Sequence, residues 1–422
     1  MKLPVVLTVD KNRGFTVAAT LLSALFAWAV LWIFVVGTTV NSRAVPAVVM
    51  ALGLLALFMT LTRTGRIGVW RRVFFVTLAL GFFPSFIAQL VETRGSMLIS
   101  EREIFTRETP ACFITLPSLI LPWIVNGVVT FSARLSGHFA SLYSIISIWL
   151  IGSLTVGRGW CSWVCFFGGW DDGCSRIVKK PLIRLKDPRG RIRYFGFAVL
   201  IFVALASLAT FTSVYCSWLC PFKLVTEIPD TGSVYGFLAF VIAVLGFFAL
   251  VVVLPLLTRK RVQCMSFCPF GAFQSLVDRV SPYRVRIDTA RCTGCLRCAA
   301  VCPTLSLREE DIKAKTGKTL LTCTKCGECV SACPAGAIRY EFAWVKTTSA
   351  GPAAPARRDR ARPESRLFRV LRYLRTSLGQ VFSAQGLFTL SGFCLGSIVC
   401  GGFAIDTLAR LVRLATHGTF LF

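Results

Sequence analysis

Long apolar stretches separated by short basic loops limit the folds open to this chain more than any other feature of its sequence. A helix needs about 20 apolar residues to cross a bilayer. The stretches near or above that length are 15–37, 44–62, 73–91, 136–156, 194–212, 233–257 and 381–405. Hydrophobic residues make up 55% of the chain and charged residues only 16%, which is too apolar for an ordinary soluble domain. The sequence therefore predicts an all-α membrane bundle of about six to seven spans.

One further apolar stretch, 112–131, contains Pro117 and Pro122, and proline breaks the interior of a helix. If this stretch crossed the bilayer, the strongly basic loop 158–193 would lie outside, whereas basic loops usually remain in the cytoplasm. We therefore expect a re-entrant segment on the outer side, where protein can bury its backbone. The same rule predicts a multi-pass protein of a bacterial inner membrane, with the N-terminus and the region after 258 in the cytoplasm.

The formal net charge of +27 would suggest a nucleic-acid partner in a soluble protein. Here the basic residues lie in short loops beside apolar stretches, so we expect no nucleic acid. Basic loops of this kind suit an acidic cytoplasmic partner instead.

The 18 cysteines occur in tight clusters, which is typical of metal or iron–sulfur ligands rather than disulfides. One haem with two histidine ligands would use both histidines of the chain, so we expect no haem. The stretches CTGCLRCAAVCP, 292–303, and CTKCGECVSACP, 323–334, both follow the pattern C-x2-C-x2-C-x3-C-P of a two-cluster ferredoxin. A structural zinc site uses four cysteines at a different spacing.

In a two-cluster ferredoxin, three cysteines of each repeat bind one [4Fe–4S] cluster and the fourth binds the other cluster. The first predicted cluster takes Cys292, Cys295, Cys298 and Cys333. The second predicted cluster takes Cys323, Cys326, Cys329 and Cys302. The flanking segments RVRID and AIRYEF are expected to form short strands that pair, giving a small α+β domain.

Three shorter stretches repeat a C-x3-C pair followed by an aromatic residue: CSWVCFF from 161, CSWLCPF from 216 and CMSFCPF from 264. Each stretch follows an apolar segment, so we interpret them as an internal repeat. Residues four apart share a helix face, and two pairs supply the four thiolates of a cubane. We expect a third [4Fe–4S] cluster at the cytoplasmic membrane face, bound by Cys161, Cys165, Cys264 and Cys268. The alternative is that these thiols are small apolar core side chains.

The remaining cysteines carry less specific signals. Cys216 and Cys220 fall on the outer side by the charge count, and Cys112 could join them in a further outer metal centre whose fourth ligand the sequence does not identify. Cys394 and Cys400 lie in a glycine-rich helix, where helix packing is the expected role. Cys174 is expected to be a free thiol. The neighbouring Asp171 and Asp172 are expected to offset basic charge in a solvated loop.

Changes in composition divide the chain into four parts. Residues 1–262 form the transmembrane bundle with C-x3-C motifs, and 263–345 form the cytoplasmic two-cluster ferredoxin-like domain with the preceding C-x3-C-P motif. Residues 346–365 are rich in Ala, Pro and Arg and predict a disordered linker. Residues 366–422 hold a basic amphipathic helix suited to anionic lipid and a C-terminal apolar segment.

Taken together, these motifs resemble the NapH/NosR-type membrane polyferredoxins and their CcoG-like branch, over roughly 70–344. The chain departs from that pattern at Phe166, which stands where a proline would be expected, and in its extra pair Cys216/Cys220. It also lacks a flavin-attachment motif, so we expect no covalent FMN.

The resemblance implies single-electron transfer between cytoplasmic or quinone-pool donors and other redox subunits across the membrane. The CcoG-like alternative is an assembly or metal-reductase factor for a partner metalloenzyme. A transporter is disfavoured because the predicted spans carry no ionisable residues of the kind that line ion pathways. Since no residue suggests a general acid or a nucleophile, we expect an electron-transfer subunit rather than a stand-alone enzyme.

Overall fold

The computed structural model describes residues 14–37, 43–94, 98–99, 113–127, 133–135, 138–140, 142–185, 187, 191–223, 228–229, 231–344 and 366–422. Within them the chain is mostly helical. The helices in the first part are α1 Val17–Leu31, α2 Ala44–Thr64, α3 Ile67–Arg94, α4 Leu116–Asn126, α5 Leu142–Thr155, α6 Trp160–Trp163, α7 Phe166–Cys174, α8 Arg191–Thr210, α9 Val234–Gly246 and α10 Leu254–Thr258. Those that follow are α11 Pro269–Val277, α12 Arg297–Val301, α13 Glu309–Lys313, α14 Glu328–Ala332, α15 Arg366–Val381 and α16 Ala384–His417.

Five helical segments within the described residues are long and apolar enough to cross a membrane: Val17–Val36, Ala44–Thr64, Ile67–Glu92, Val234–Thr258 and Ala384–His417. Shorter apolar helices occupy Phe113–Asn126, Ile146–Thr155 and Tyr194–Thr210. The prediction of a helical membrane bundle is therefore confirmed in outline, whereas six to seven spans and the re-entrant segment remain predictions.

The longest helix, α16, runs parallel to α3 and packs closely on it. The Thr407 hydroxyl donates a 2.5 Å hydrogen bond to the Gly81 carbonyl, and the Ser85 hydroxyl donates one of 2.6 Å to Asp406. A Cβ on Gly81 would lie 2.7 Å from the Ala404 Cα, so this approach requires glycine.

The predicted spans themselves contain no Asp, Glu, Lys or Arg, but helices α3 and α16 extend beyond them to charged residues. Arg410 of α16 forms ion pairs of 2.6 Å with Glu92 and 2.7 Å with Asp406, and Arg43 lies 2.6 Å from Asp406. The predicted segments end at 91 and 405, but the helices continue beyond both points. These charges neutralise one another, so a carboxylate and a guanidinium can share a largely apolar setting.

The proline-containing stretch forms helix α4 from Leu116. Pro117 lies in its first turn, where a missing N–H costs nothing, and Pro122 lies inside the helix. This helix packs against α8. Cys112 lies outside the described residues.

The cysteine-rich region contains the predicted strand pair. Strand β5, Tyr283–Ile287, pairs antiparallel with β6, Ile338–Phe342, with Tyr283 opposite Phe342 and Ile287 opposite Ile338. The shorter strands among the described residues lie outside this region: β1 Leu98–Ile99, β2 Ala133–Leu135, β3 His138–Ala140 and β4 Ile228–Pro229. Alternate residues of β5 are buried, as the period of two of a strand requires. Helices α12 and α14 pack on each other beside this sheet.

The predicted linker 346–365 lies outside the described residues. Beyond it, α15 passes over the start of α1, where the Thr16 N–H donates a 2.7 Å hydrogen bond to the Gln380 side chain. Phe368, Leu371 and Leu374 of α15 are exposed, so much of its apolar surface is uncovered by this chain.

Candidate iron–sulfur centres

The two four-cysteine repeats fold into loops with the same unusual backbone. In the first loop Gly294 and Leu296 have φ of 71° and 59°, and in the second Lys325 and Gly327 have φ of 52° and 78°. The left-handed residues therefore occupy the same two places in each repeat, although glycine fills only one of them each time. Backbone that alternates in this way turns successive N–H groups toward one side and forms an anion-binding concavity.

All four cysteines predicted for the first cluster line one small cavity: Cys292, Cys295, Cys298 and Cys333. Burial, together with the charges of Cys333 and Cys292, raises the pKa of Cys298 to about 11. Cys295 is exposed, and a hydrogen bond from the Arg297 N–H is the main cause of the lowered pKa of its thiol.

The cysteines predicted for the second cluster also lie together, but they are more deeply enclosed. Burial and then the charges of Cys323, Cys326 and Cys302 raise the pKa of Cys329 well above its usual value. The Ser306 N–H donates a 3.2 Å hydrogen bond to the Cys302 Sγ. The structure thus gathers both predicted ferredoxin sets, and their role as ligands remains a prediction.

The first and third C-x3-C pairs meet although about 100 residues separate them in sequence. Cys161 lies on α6, and Cys264 lies on a π-helical turn, Gln263–Phe267. Burial raises the pKa of the Cys268 thiol, and the charges of Cys165 and Cys161 add to that increase. The four thiols of the predicted third cluster therefore lie near one another.

The three C-x3-C motifs share a local geometry. The second cysteine of each pair has extended backbone, with ψ of 107° at Cys165, 113° at Cys220 and 112° at Cys268. This bend ends the preceding helical turn and starts a new direction for the chain. The sequence repeat is therefore also a repeat of backbone conformation.

Arg261 contacts the predicted third cluster site directly. Its Nη2 donates hydrogen bonds of 3.2 Å to the Cys264 Sγ, 2.7 Å to the Cys161 carbonyl and 3.1 Å to the Gly168 carbonyl. The buried Nε and Nη1 of Arg261 have no partner in the described chain, and the same holds for Nε1 of Trp163.

Buried donors without partners cost free energy unless something accepts their hydrogen bonds. The sulfides of an iron–sulfur cluster are such acceptors, and the neighbouring thiols would be its ligands. The residues around Cys161, Cys165, Cys264 and Cys268 therefore fit a [4Fe–4S] cluster.

The expectation that Asp171 and Asp172 lie in a solvated loop is wrong, because both are fully buried. Asp171 accepts a 3.0 Å hydrogen bond from the Cys264 N–H, and burial raises the pKa of its carboxyl to about 7. Asp172 accepts a 2.7 Å hydrogen bond from Arg71. Burial alone would raise the pKa of Asp172, but the combined charges of Arg71, Arg261, Arg72 and Arg176 outweigh burial and hold this pKa below its usual range.

The ferredoxin region rests directly on α6. The Ser162 hydroxyl donates a 2.6 Å hydrogen bond to the Thr324 carbonyl, within the loop that carries Cys323 and Cys326. Arg71 donates to the Ser162 carbonyl at 2.8 Å. Arg158 lies close to both sites, because it precedes Cys161 by three residues and its Nη1 donates a 3.3 Å hydrogen bond to the Leu321 carbonyl, two residues before Cys323.

Two lysines form further contacts where the ferredoxin region meets the membrane-side part of the chain. The Lys325 ammonium lies 2.7 Å from Asp278 at the end of α11, and the Lys260 ammonium donates a 2.7 Å hydrogen bond to the Cys302 carbonyl.

Sequence reasoning missed Arg71, Arg158 and Arg261 as parts of the site, because it interpreted basic residues beside apolar spans as topology signals. The proximity of Arg261 to Cys264 in the run RKRVQC was the available signal.

The second C-x3-C pair lies next to the third. The Gln263 side chain donates a 3.0 Å hydrogen bond to the Tyr215 hydroxyl, and the charges of Cys268 and Cys220 both act on that hydroxyl. Lys223 is buried and donates to the Ser217 carbonyl at 2.9 Å. Because Cys112 lies outside the described residues, the predicted outer centre of Cys112, Cys216 and Cys220 is not tested.

The other cysteines have packing environments. The Cys400 thiol donates a 3.0 Å hydrogen bond to the Val164 carbonyl, which joins α16 to the first C-x3-C motif. Cys394 is buried and Cys174 is partly exposed.

In the part of the chain that the structure describes, no three Cys, His, Asp or Glu side chains are grouped closely enough to hold a single metal ion. A four-iron cluster is wider than one ion, so its ligands stand farther apart.

Comparison with protein families matches these sites to two iron–sulfur domains. Residues 284–342 match a 4Fe-4S dicluster domain. A 4Fe-4S binding domain matches three times, over 138–184, 192–230 and 240–287, once around each C-x3-C pair. The chain is a membrane ferredoxin-type 4Fe-4S protein.

More particularly, the chain is a distant relative of NapH, MauN and YccM, and the resemblance to NapH-type proteins is confirmed. It is 31% identical to the methylamine utilization ferredoxin-type protein MauN of Methylorubrum extorquens over 50% of this chain and 65% of MauN. It is 28% identical to the ferredoxin-type protein NapH of Haemophilus influenzae over 38% of this chain and 53% of NapH.

The third relative, YccM of Escherichia coli, has a name that assigns it to electron transport. The two chains are 23% identical over 48% of this chain and 59% of YccM. The matched region thus spans less than two thirds of each of these three relatives. No solved structure matches the chain.

Proposed function

We propose that this protein transfers single electrons between a cytoplasmic or quinone-pool donor and a partner redox system across a bacterial inner membrane. The observation that carries the proposal is the junction at α6, where Ser162 hydrogen-bonds to the loop of Cys323 and Cys326. Two groups of clustered thiols, one in the ferredoxin region and one on the C-x3-C motifs, therefore lie on either side of one buried contact.

The chain itself would hold, shield and polarise the redox centres. A bound [4Fe–4S] cluster supplies reversible one-electron chemistry, and hydrogen bonds to its sulfurs, burial and nearby charge tune its potential. Arg261 and Arg158 would favour the reduced state, because each places a positive charge beside the predicted ligands Cys161 and Cys264. The fully buried Trp160 and Trp163 would keep water from the centre of the third cluster.

The proposal includes an orientation. The basic loop 158–193 and the ferredoxin region would face the cytoplasm, and the far ends of α3 and α16 would face outward. Other redox subunits in or at the membrane would complete the system, and quinone is a further candidate partner. The names of YccM and NapH, for electron transport and for a ferredoxin-type protein, support this assignment.

Iron and acid-labile sulfide per chain, measured on anaerobically purified protein, test the proposal. The ferredoxin repeats should contribute about eight irons and the third cluster about four more. Replacing Cys161 and Cys264 by Ser should remove about four irons, because the third cluster loses half of its ligands. The matched double variant Cys174→Ser plus Cys394→Ser should keep the full content. A value near eight that the first variant leaves unchanged would contradict the third cluster.

A further inference from the structure

An open cleft of about 840 Å³ lies between the membrane-side loops and the ferredoxin region. One wall comes from the loop after α7, between Arg176 and Asp187, and from the end of α10. The opposite wall comes from the ferredoxin region, between Cys295 and Lys313. Its volume lies within the usual range of binding clefts, about 300–1,000 Å³.

The cleft is strongly basic. Seven basic side chains line it against three acidic ones. Arg184, Arg297 and Lys313 are exposed and can face an incoming partner. By contrast, the guanidinium of Arg308 is held by Asp311 at 2.8 Å, so its charge is largely neutralised within the chain. Charge of one sign in a concave surface raises the rate of association with an oppositely charged partner.

The wall on the ferredoxin side contains Cys295, the exposed thiol among the cysteines predicted for the first cluster. The rate of electron transfer falls steeply with distance. Electron exchange is therefore fastest where a redox partner binds over the least buried part of a cluster. In the other predicted cluster Cys302, Cys326 and Cys329 are buried. The basic cleft therefore leads to the most accessible edge of the predicted ferredoxin centres.

We propose that this cleft is the docking site of a small acidic protein that carries a one-electron redox centre. The proposal rests on the proposed function and identifies where electrons are exchanged with the soluble partner. One electron leaves the partner, which is oxidised, and one is gained by this chain, which is reduced; no bond forms and no proton moves. A nicotinamide nucleotide fits the charge but delivers electrons in pairs as hydride, which a one-electron cluster does not accept.

The test uses the full chain in phosphatidylcholine nanodiscs and an acidic [2Fe–2S] ferredoxin as the probe. The dissociation constant of the oxidised probe and the rate of electron exchange with the reduced probe are both measured at rising ionic strength. Arg184→Glu combined with Lys313→Glu should weaken binding and slow exchange at least about tenfold at low salt. The difference should shrink at high salt, because mobile ions screen exposed charges.

The control is Arg369→Glu combined with Arg375→Glu on α15, which changes the total charge equally at exposed positions away from the cleft. An equal loss in both double variants, or no loss in the first, would overturn the proposal. Nanodiscs that contain phosphatidylglycerol test whether the cleft binds lipid headgroups rather than a protein. If the cleft variant loses only binding to this lipid and retains its affinity for the ferredoxin, the cleft binds headgroups and the proposal is wrong.

The same samples distinguish this inference from the proposed function. Iron content and full reduction by dithionite report on the centres themselves. Salt-dependent binding of the probe in a chain that lacks the third cluster would support the cleft and refute the transmembrane path. If the iron content is complete but the probe shows no charge-dependent binding, only the proposal for the cleft is refuted.

Discussion

Buried arginines organise the electrostatics of this protein at the residue scale. Arg71, Arg158 and Arg261 are fully buried, and each is close to cysteines or to the acids that support them. A buried cation is stable only where negative charge and hydrogen-bond acceptors surround it. Clusters held by thiolates supply that charge, so the arginines and the proposed centres stabilise each other.

Replacing Arg261 by Gln should lower the reduction potential of the third cluster, because the reduced cluster carries one more negative charge than the oxidised cluster and therefore loses more stabilisation when the guanidinium is removed. A charged hydrogen bond is worth about 1.5–3 kcal/mol. At about 59 mV per tenfold change for one electron, the shift should be on the order of 60–130 mV. A redox titration followed by electron paramagnetic resonance measures it. Arg259→Gln removes a charge two residues away and should shift the potential much less.

The buried ion pair between Arg71 and Asp172 should be important for stability. Asp172→Asn leaves a fully buried guanidinium without its nearest negative charge, which should cost about 3 kcal/mol or more in free energy of unfolding. Unfolding in detergent measures the loss. The more exposed pair of Arg308 and Asp311 is the comparison, and Asp311→Asn should cost no more than about 1 kcal/mol. Equal losses in the two variants would contradict this view of the buried pair.

At the scale of elements, short turns decide how the ferredoxin region meets the membrane helices. The turn after α5 contains Gly157, with φ of 58°, packed against Asp278 and Ser281. Asp278 also accepts a 2.6 Å hydrogen bond from the Arg158 N–H and binds Lys325. This one turn therefore joins the C-x3-C motif of α6, the end of α11 and the second cluster loop.

Gly157→Ala should separate these elements, since its methyl group would overlap Asp278 and Ser281. The left-handed backbone costs about 1–2 kcal/mol and overpacking about 1–3 kcal/mol more. Gly127→Ala is the matched control, because Gly127 has φ of 65° and open space around it. Gly127→Ala should lose only the free energy of unfolding that comes from the left-handed backbone. Unfolding of both variants in detergent checks the difference, and similar losses would show that the contact is unimportant.

At the scale of the whole molecule, two thiol-rich regions are joined by buried polar contacts, with the second C-x3-C pair beside them. The pair Cys216/Cys220 reaches the third motif through Tyr215 and Gln263. This position is compatible with an electron-transfer path that continues beyond the third cluster. It is equally compatible with a pair of thiols that binds a metal transiently and passes it to a partner. The electron-transfer and assembly hypotheses therefore differ most at this pair.

Cys216→Ser combined with Cys220→Ser should leave the ferredoxin clusters intact and stop electron delivery to the far side. Iron content and the spectra of the clusters should change little, while electron transfer to an outer acceptor in proteoliposomes should fall at least tenfold. Cys174→Ser is the control for loss of a thiol. If electron transfer persists and a partner metalloenzyme instead lacks its metal, the assembly hypothesis replaces the relay.

The sequence determined the chemistry and the kinds of elements in this protein. Cysteine spacing predicted both ferredoxin sets, the C-x3-C repeat and the strand pair, because these patterns are local and their ligands must face one point. Apolar length predicted a helical membrane bundle for a similarly local reason. The prediction for Asp171 and Asp172 was wrong, since a charged pair beside basic residues gives no sign of a buried partner such as Arg71.

The shared membrane side predicted that the first and third C-x3-C pairs would meet, but only the tertiary structure decided what surrounds them. Cys161 and Cys264 are distant in sequence, and their approach depends on how α6 and α11 pack. The basic cleft and the roles of Arg71, Arg158 and Arg261 likewise come from residues spread over the chain. An arginine beside an apolar span has the same sequence signature whether it faces the cytoplasm or a buried thiol. Burial and the neighbouring charge decide between the two, and both are properties of the folded chain.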